Sequence, residues 1–238
     1  MMIKRKIKSL VSYIGMFYVK RLCKREYALQ KFTSVNERPI EFAFLFRQLV
    51  NIWPQKVLDV GTGMTSLPYM MRNCGFHVTA IDNIKDYWPA GMVNRHYHVL
   101  NDDITQTSLN ETYDVITCIS VLEHIKEHRK AIKSMYKLLV PGGRLILTCP
   151  YNDEKYSENV YDLPESSVKE KFSFVTQAFS RNELNLWLTD TSFELKEQEY
   201  WKFFDGDFWT CGERVIPPQK VEVHGQHQLT CLVLQKPE

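Results

Sequence analysis

Ten residues, Val57-Leu58-Asp59-Val60-Gly61-Thr62-Gly63-Met64-Thr65-Ser66, leave this chain few folds to choose from. Residues 56–60 are a short β-branched and apolar run carrying one acid, the pattern of a buried strand. Gly61 and Gly63 then let the backbone bend and approach a ligand where a Cβ would collide. Thr65 or Ser66 is placed to cap the helix that follows. A strand that feeds a glycine turn at a helix start is a small-molecule cradle at the carboxyl edge of a parallel sheet.

The rest of the chain repeats that rhythm. Residues 77–81, 97–101, 114–119, 144–149, 193–201 and 228–234 read as further strands. Helices are expected over 3–31, 38–53 and 126–139, and Ser180 with Glu183 predicts a capping box for another running to 188. Near-continuous apolar strands between helices mean a parallel sheet covered on both faces. The expected fold is therefore α/β: a doubly wound, Rossmann-like, seven-stranded and mostly parallel sheet, its last strand antiparallel, with a small helical and loop cap. Residues 1–53 are expected as N-terminal basic amphipathic helices and 54–238 as the main domain. The N-terminal helices and insertions at about 150–180 and 202–227 supply the cap.

Net charge is only +2, which does not advertise nucleic acid as a partner, yet residues 1–31 hold nine Lys/Arg against one acid, Glu26. Two readings stand for that segment. The first is a helix packed on the domain with solvated cations. The second is a peripheral contact with an anionic membrane. The six cysteines form no CxxC pair, so no zinc cluster is expected, and the apolar settings of Cys118 and Cys149 suit a reducing compartment. No apolar stretch is long enough to span a bilayer, and Lys20-Arg21 behind residues 10–19 argues against a signal peptide. A cytoplasmic protein is expected, with any membrane contact at the inner face.

Three motifs in order carry a family resemblance: Asp59-Val60-Gly61-Thr62-Gly63, then Val121-Leu122-Glu123-His124-Ile125, then Leu138-Leu139-Val140-Pro141-Gly142-Gly143. Together they resemble the class I S-adenosylmethionine-dependent methyltransferases, closely over about residues 50–150 and loosely over about 180–235. The resemblance implies S-adenosylmethionine as cofactor. Asp82, about twenty residues past the loop, suits the ribose diol, since a carboxylate accepts two hydroxyls strongly. Asp103 and Ile104 suit the adenine, with Asp103 favoured over Asp102 by family spacing. Asp59, Gly61, Thr62, Gly63, Ser120 and Val121 suit the methionine end. A structural role stays open for Asp59 and Asp82. The rival ligand, a nicotinamide dinucleotide, wants G-x-G-x-x-G, whereas Ser66 stands at the third place. Asp59 would repel a pyrophosphate and attract an ammonium. Thr65 stands where the family often has a small residue, so a slightly rearranged loop is expected.

A hydroxyl acceptor must lose its proton, and His124, behind the fourth strand, is the candidate base, with a brace for its helix as the alternative. Ser120 stands where some family members place an acid beside the Glu-His pair, so no metal site is expected there. Tyr156, Tyr161, Asp205 and His227 are candidate acceptor residues, and Trp201, Phe203, Phe204, Phe208 and Trp209 read as cap packing or as an acceptor platform. Tyr87-Trp88-Pro89 is expected near the adenine or on the cap. The acceptor expected first is a hydroxyl of a sugar or of a polysaccharide or glycolipid precursor. Other small molecules or a quinone come second, nucleic acid third, and a non-catalytic cofactor-binding subunit stays open.

Overall fold

A computed structural model describes residues 2–30, 36–84, 94 and 96–238 of the chain. It divides into two compact units, 1–36 and 37–238. The first is a single helix, α1 (Met2–Ala28). No helix among the described residues is long and apolar enough to cross a membrane.

The larger unit is built on β1 (Lys56–Val60), the strand of the glycine motif. Around it lie α2 (Arg38–Ile52), α3 (Leu67–Asn73), β2 (His77–Asp82), β3 (Leu100–Asn101), β4 (Tyr113–Ile119), α4 (His128–Leu138) and β5 (Leu139–Pro150). Then follow α5 (Arg181–Thr191), β6 (Glu194–Phe204), β7 (Arg214–Val221) and β8 (Leu229–Gln235). The strands join in one eight-stranded sheet of order β3-β2-β1-β4-β5-β8-β6-β7. β1 to β5 pair in parallel, while β8 lies antiparallel between β5 and β6.

Side chains alternate across this sheet with period two, and both faces are apolar. Leu58, Ile116 and Leu147 face one core with Ile132 and Met135 of α4 and Trp187 of α5. Val57, Val115 and Ile146 face the other, with Phe44 and Leu45 of α2 and Met71 of α3. That is why the central strands read as unbroken apolar runs rather than alternating ones.

Several boundaries differ from the sequence reading. α2 belongs to the larger unit, because Phe44, Leu45 and Leu49 are buried against the sheet. The compact unit therefore starts at Glu37, not after residue 53. The sheet has an eighth strand, β7, inside the segment read as a connection. Among the described residues β7 is an edge strand paired with β6 alone, where Pro217 and Pro218 are tolerated and no apolar alternation is needed. The strand expected at 97–101 shrinks to Leu100–Asn101: the Tyr97 N–H goes to Asn94 Oδ1 at 2.9 Å instead of to a ladder partner, and its hydroxyl reaches Val78 O of β2 at 2.6 Å. Ser66 holds the N-cap position of α3 without capping through its side chain, and Thr65 Oγ1 donates back to Thr62 O at 2.9 Å. The capping box at Ser180 and Glu183 is present.

Candidate functional site

A cavity of about 1370 Å³ is lined by residues that follow β1, β2, β3 and β4, the carboxyl edge of the parallel strands, together with residues of α2 and of the 150–180 insertion. Single small-molecule sites run to roughly 300–1,000 Å³, so this volume has room for two ligands.

The β1 loop forms one wall. Gly61 (φ +73°) and Gly63 (φ +57°) are both left-handed, a conformation that favours glycine. A Cβ on Gly61 would lie within 2.9 Å of Val121 Cβ and closer still to both Val121 methyls. The β1 and β4 turns therefore touch through that missing side chain. Asp59 is buried beneath the loop. Its Oδ1 accepts from Thr117 Oγ1 at 2.6 Å and its Oδ2 from Thr62 Oγ1 at 2.7 Å. Burial pushes its carboxyl up to about 6, against the pull of the two hydroxyls and with a smaller push from the Asp82 charge. Asp59 thus braces the loop and also lines the cavity.

Asp82, at the end of β2, accepts from Gly63 N at 2.7 Å. Past β3 the two adjacent acids divide. Asp102 takes Thr107 Oγ1 (2.8 Å) and the N and Oγ of Ser108, which ties it into its own turn. Among the described residues Asp103 accepts through Oδ1, from Thr105 N and Oγ1 at 2.8 Å each, and Ile104 lies buried beside it.

Past β4, Ser120 is held at φ +50°, uncommon for a residue with a side chain. What holds it is Glu41 of α2, which the sequence reading missed. Glu41 is fully buried, and its Oε1 accepts from Ser120 Oγ (2.5 Å) and Thr148 Oγ1 (2.6 Å), its Oε2 from Arg38 (2.9 Å). Burial raises its carboxyl above the usual range, while Arg38 and the two hydroxyls lower it. Arg38 and Phe42 themselves line the cavity. The available signal was an acid on the apolar face of a helix.

Val121 and His124 line the same cavity. The next residue after Leu122, Glu123, is buried, with Oε2 unpartnered among the described residues, and burial pushes its carboxyl up to about 8. His124 Nδ1 lies 2.8 Å from Val175 O. A carbonyl only accepts, so Nδ1 carries the proton and Nε2 keeps a lone pair. Burial lowers the imidazole pKa below its ordinary 6.5, with Arg38 pushing the same way. Phe174 meets the ring edge-on at 4.9 Å, Phe172 stacks on Phe174 at 5.0 Å, and Tyr161 tilts against Phe172 at 5.3 Å. These rings make an aromatic wall beside His124.

Of the four expected acceptor residues, only Tyr161 lines the cavity. Tyr156 turns its hydroxyl to Gln177 Oε1 at 2.8 Å. Asp205 Oδ1 accepts from Glu213 N at 2.6 Å within its own loop. His227 is buried in a stack on Tyr151 and donates to Gly225 O at 2.6 Å. The physical reason is strand order: β8, β6 and β7 lie beyond β5, so their loops are carried away from the β1–β4 edge. The late aromatic group goes with them. Phe203 and Phe204 are core residues meeting Trp209 edge-on, and Trp201 packs on the same cluster. Tyr87-Trp88-Pro89 lies outside the described residues.

A family model described as a methyltransferase domain matches residues 25–198. The chain is 27% identical over 185 residues to the ubiquinone biosynthesis O-methyltransferase of Haemophilus ducreyi, covering 69% of this chain and 76% of that one. With the enzyme of the same name from Aeromonas salmonicida it shares 26% over 119 residues, 46% of this chain and 49% of that one, about half the relative's length. Among solved structures it resembles the 1,6-didemethyltoxoflavin-N1-methyltransferase of Burkholderia thailandensis, with TM-score 0.54 and 14% identity over 95% of this chain and 90% of that one. At that identity the likeness is one of fold.

Proposed function

The chain belongs to the class I S-adenosylmethionine-dependent methyltransferase family, and on that premise we propose that its cavity holds S-adenosylmethionine beside a phenol-like small-molecule acceptor, whose hydroxyl is methylated. The donor set fits the cofactor. Asp82 suits a ribose diol, and Asp103 with Ile104 an adenine amine and face. The Gly61–Gly63 backbone and Asp59 suit an ammonium, and Arg38 a carboxylate. Bound there, the cofactor supplies an already activated methyl group for in-line displacement.

This chain's own contribution is alignment and proton removal. His124 Nε2 takes the proton from the acceptor hydroxyl, while the Nδ1 bond to Val175 O fixes the tautomer. The observation that carries the acceptor class is the Tyr161–Phe172–Phe174 wall around His124, which suits a flat ring. The relatives named for ubiquinone biosynthesis O-methylation support the same class. The carbohydrate acceptor expected from the late aromatic segment has no such support, because that segment does not line the cavity.

Labelled-methyl transfer to a panel of dihydroxybenzenes, cell-envelope sugar precursors and RNA tests this reading. Label is expected on a ring hydroxyl, and labelling of the sugars or RNA alone would reject it.

The membrane contact is a separate part of the proposal. α1 carries an apolar band at residues 10–19 between two basic clusters, Lys4–Lys8 and Lys20–Arg25, which suits an anionic lipid surface. The protein is expected to co-sediment with phosphatidylglycerol-containing vesicles, less so in high salt. Equal pelleting with pure phosphatidylcholine, or none with either, refutes the contact.

A further inference from the structure

The glycine loop is held from a side that no motif announces. Asn94 is buried, 8% exposed, and stands 31 residues beyond Gly63. Its Nδ2 donates to two loop carbonyls, Gly63 O and Thr65 O, at 2.9 Å each. Its Oδ1 accepts from His96 N at 2.8 Å and Tyr97 N at 2.9 Å. The amide's two donors and two lone pairs are therefore all used. One of those two partners, Tyr97, is itself tied to β2 by the bond from its hydroxyl to Val78 O. Gly63 is thus gripped at both ends of one residue, its N–H by Asp82 and its carbonyl by Asn94.

The need for such a grip follows from the loop's sequence. Gly63 has φ +57°, and among the described residues nothing lies within 4 Å of where a Cβ would stand, so no side-chain contact at that position fixes it. Its carbonyl and that of Thr65 belong to no strand, and in these half-buried residues Asn94 supplies the donors that no ladder provides. An unrestrained glycine loop would sample many conformations, and ligand binding would bear the ordering cost. We propose that Asn94 is a positioning residue for the donor site. It fixes the carbonyl side of the Gly63–Thr65 turn, so that Asp82 and the loop backbone meet the cofactor in one arrangement. The inference rests on the reading that this loop holds S-adenosylmethionine. Among the neutral side chains only an amide can donate to two carbonyls while accepting two backbone N–H groups.

That double role makes the test selective. N94D keeps the oxygen that accepts from His96 and Tyr97 but removes both donors to the loop. Calorimetry with S-adenosylhomocysteine is expected to show N94D binding about 10-fold or more weaker than wild type. In steady state the KM for S-adenosylmethionine should rise by a similar factor, with kcat at saturation within about threefold. N94A, which loses both halves, should bind at least as weakly, and it carries the test if N94D does not fold. Wild-type affinity in either folded variant, or a fall in kcat with KM unchanged, overturns the proposal. Absence of binding by the wild-type protein would instead refute the cofactor reading on which it rests.

Discussion

Replacing His124 by alanine should lower turnover by about 10²–10⁴-fold, the usual contribution of a positioned general base. Affinity for S-adenosylhomocysteine should stay near wild type. The separation is expected because His124 shares the cavity with the donor residues but makes its one strong bond, 2.8 Å from Nδ1, to Val175 O in the acceptor-side insertion. The pH dependence follows from the shift. Burial lowers the pKa below 6.5 and the Arg38 charge lowers it further, so the neutral imidazole dominates at pH 7. The neutral form is the one that accepts a proton. Wild-type kcat should therefore be level above neutrality and fall on the acid side, its midpoint below the ordinary histidine value. H124A should lose that acid limb along with the rate. Single-turnover rates with a dihydroxybenzene acceptor from pH 5 to 9 measure both. An H124A variant with full turnover across that range leaves His124 only its role as a brace between the β4 turn and the insertion.

What the sequence made legible was local. The strand, glycine turn and helix at 56–73 announce themselves, because the two glycines whose left-handed φ makes the turn lie inside it. Asp82 closes the next strand in the same rhythm, while the preference for Asp103 over Asp102 comes from the family resemblance. Glu41 did not, since nothing along α2 says that its carboxylate meets Ser120 and Thr148 from two other strands. Asn94 escaped for the same reason, its partners being 29 and 31 residues away. Phe172 and Phe174 sit in a polar stretch with no periodicity, and only the folding back of the insertion against Glu123 and Pro150 brings them to His124. Asp205 and His227 misled because β8 inserts between β5 and β6, a crossover that spacing does not reveal. Motif reading finds groups that act within one turn; groups that act between turns need the topology.

The junction between the β1 and β4 turns gives the largest expected effect on stability. Substituting Gly61 by alanine imposes two costs at once. The backbone sits at φ +73°, worth about 1 kcal/mol against an L side chain. The new methyl also overlaps Val121, and overpacking of that kind costs about 1–3 kcal/mol. G61A should therefore lose about 2–4 kcal/mol, and S-adenosylhomocysteine binding with it, because relief means pushing apart two turns that line the cavity. G63A is the internal control. Its φ is also positive, +57°, but among the described residues nothing stands within 4 Å of where its Cβ would be, so the backbone cost of about 1 kcal/mol is the one expected. V121A removes the methyls that collide. In the double variant G61A/V121A the two closest overlaps disappear while the 2.9 Å Cβ–Cβ approach and the backbone cost remain, so the two changes should cost less together than the sum of the singles. Urea unfolding with a common m-value reads all four variants. A G61A no less stable than G63A, or strict additivity in the double variant, would show that the turns do not meet through Gly61.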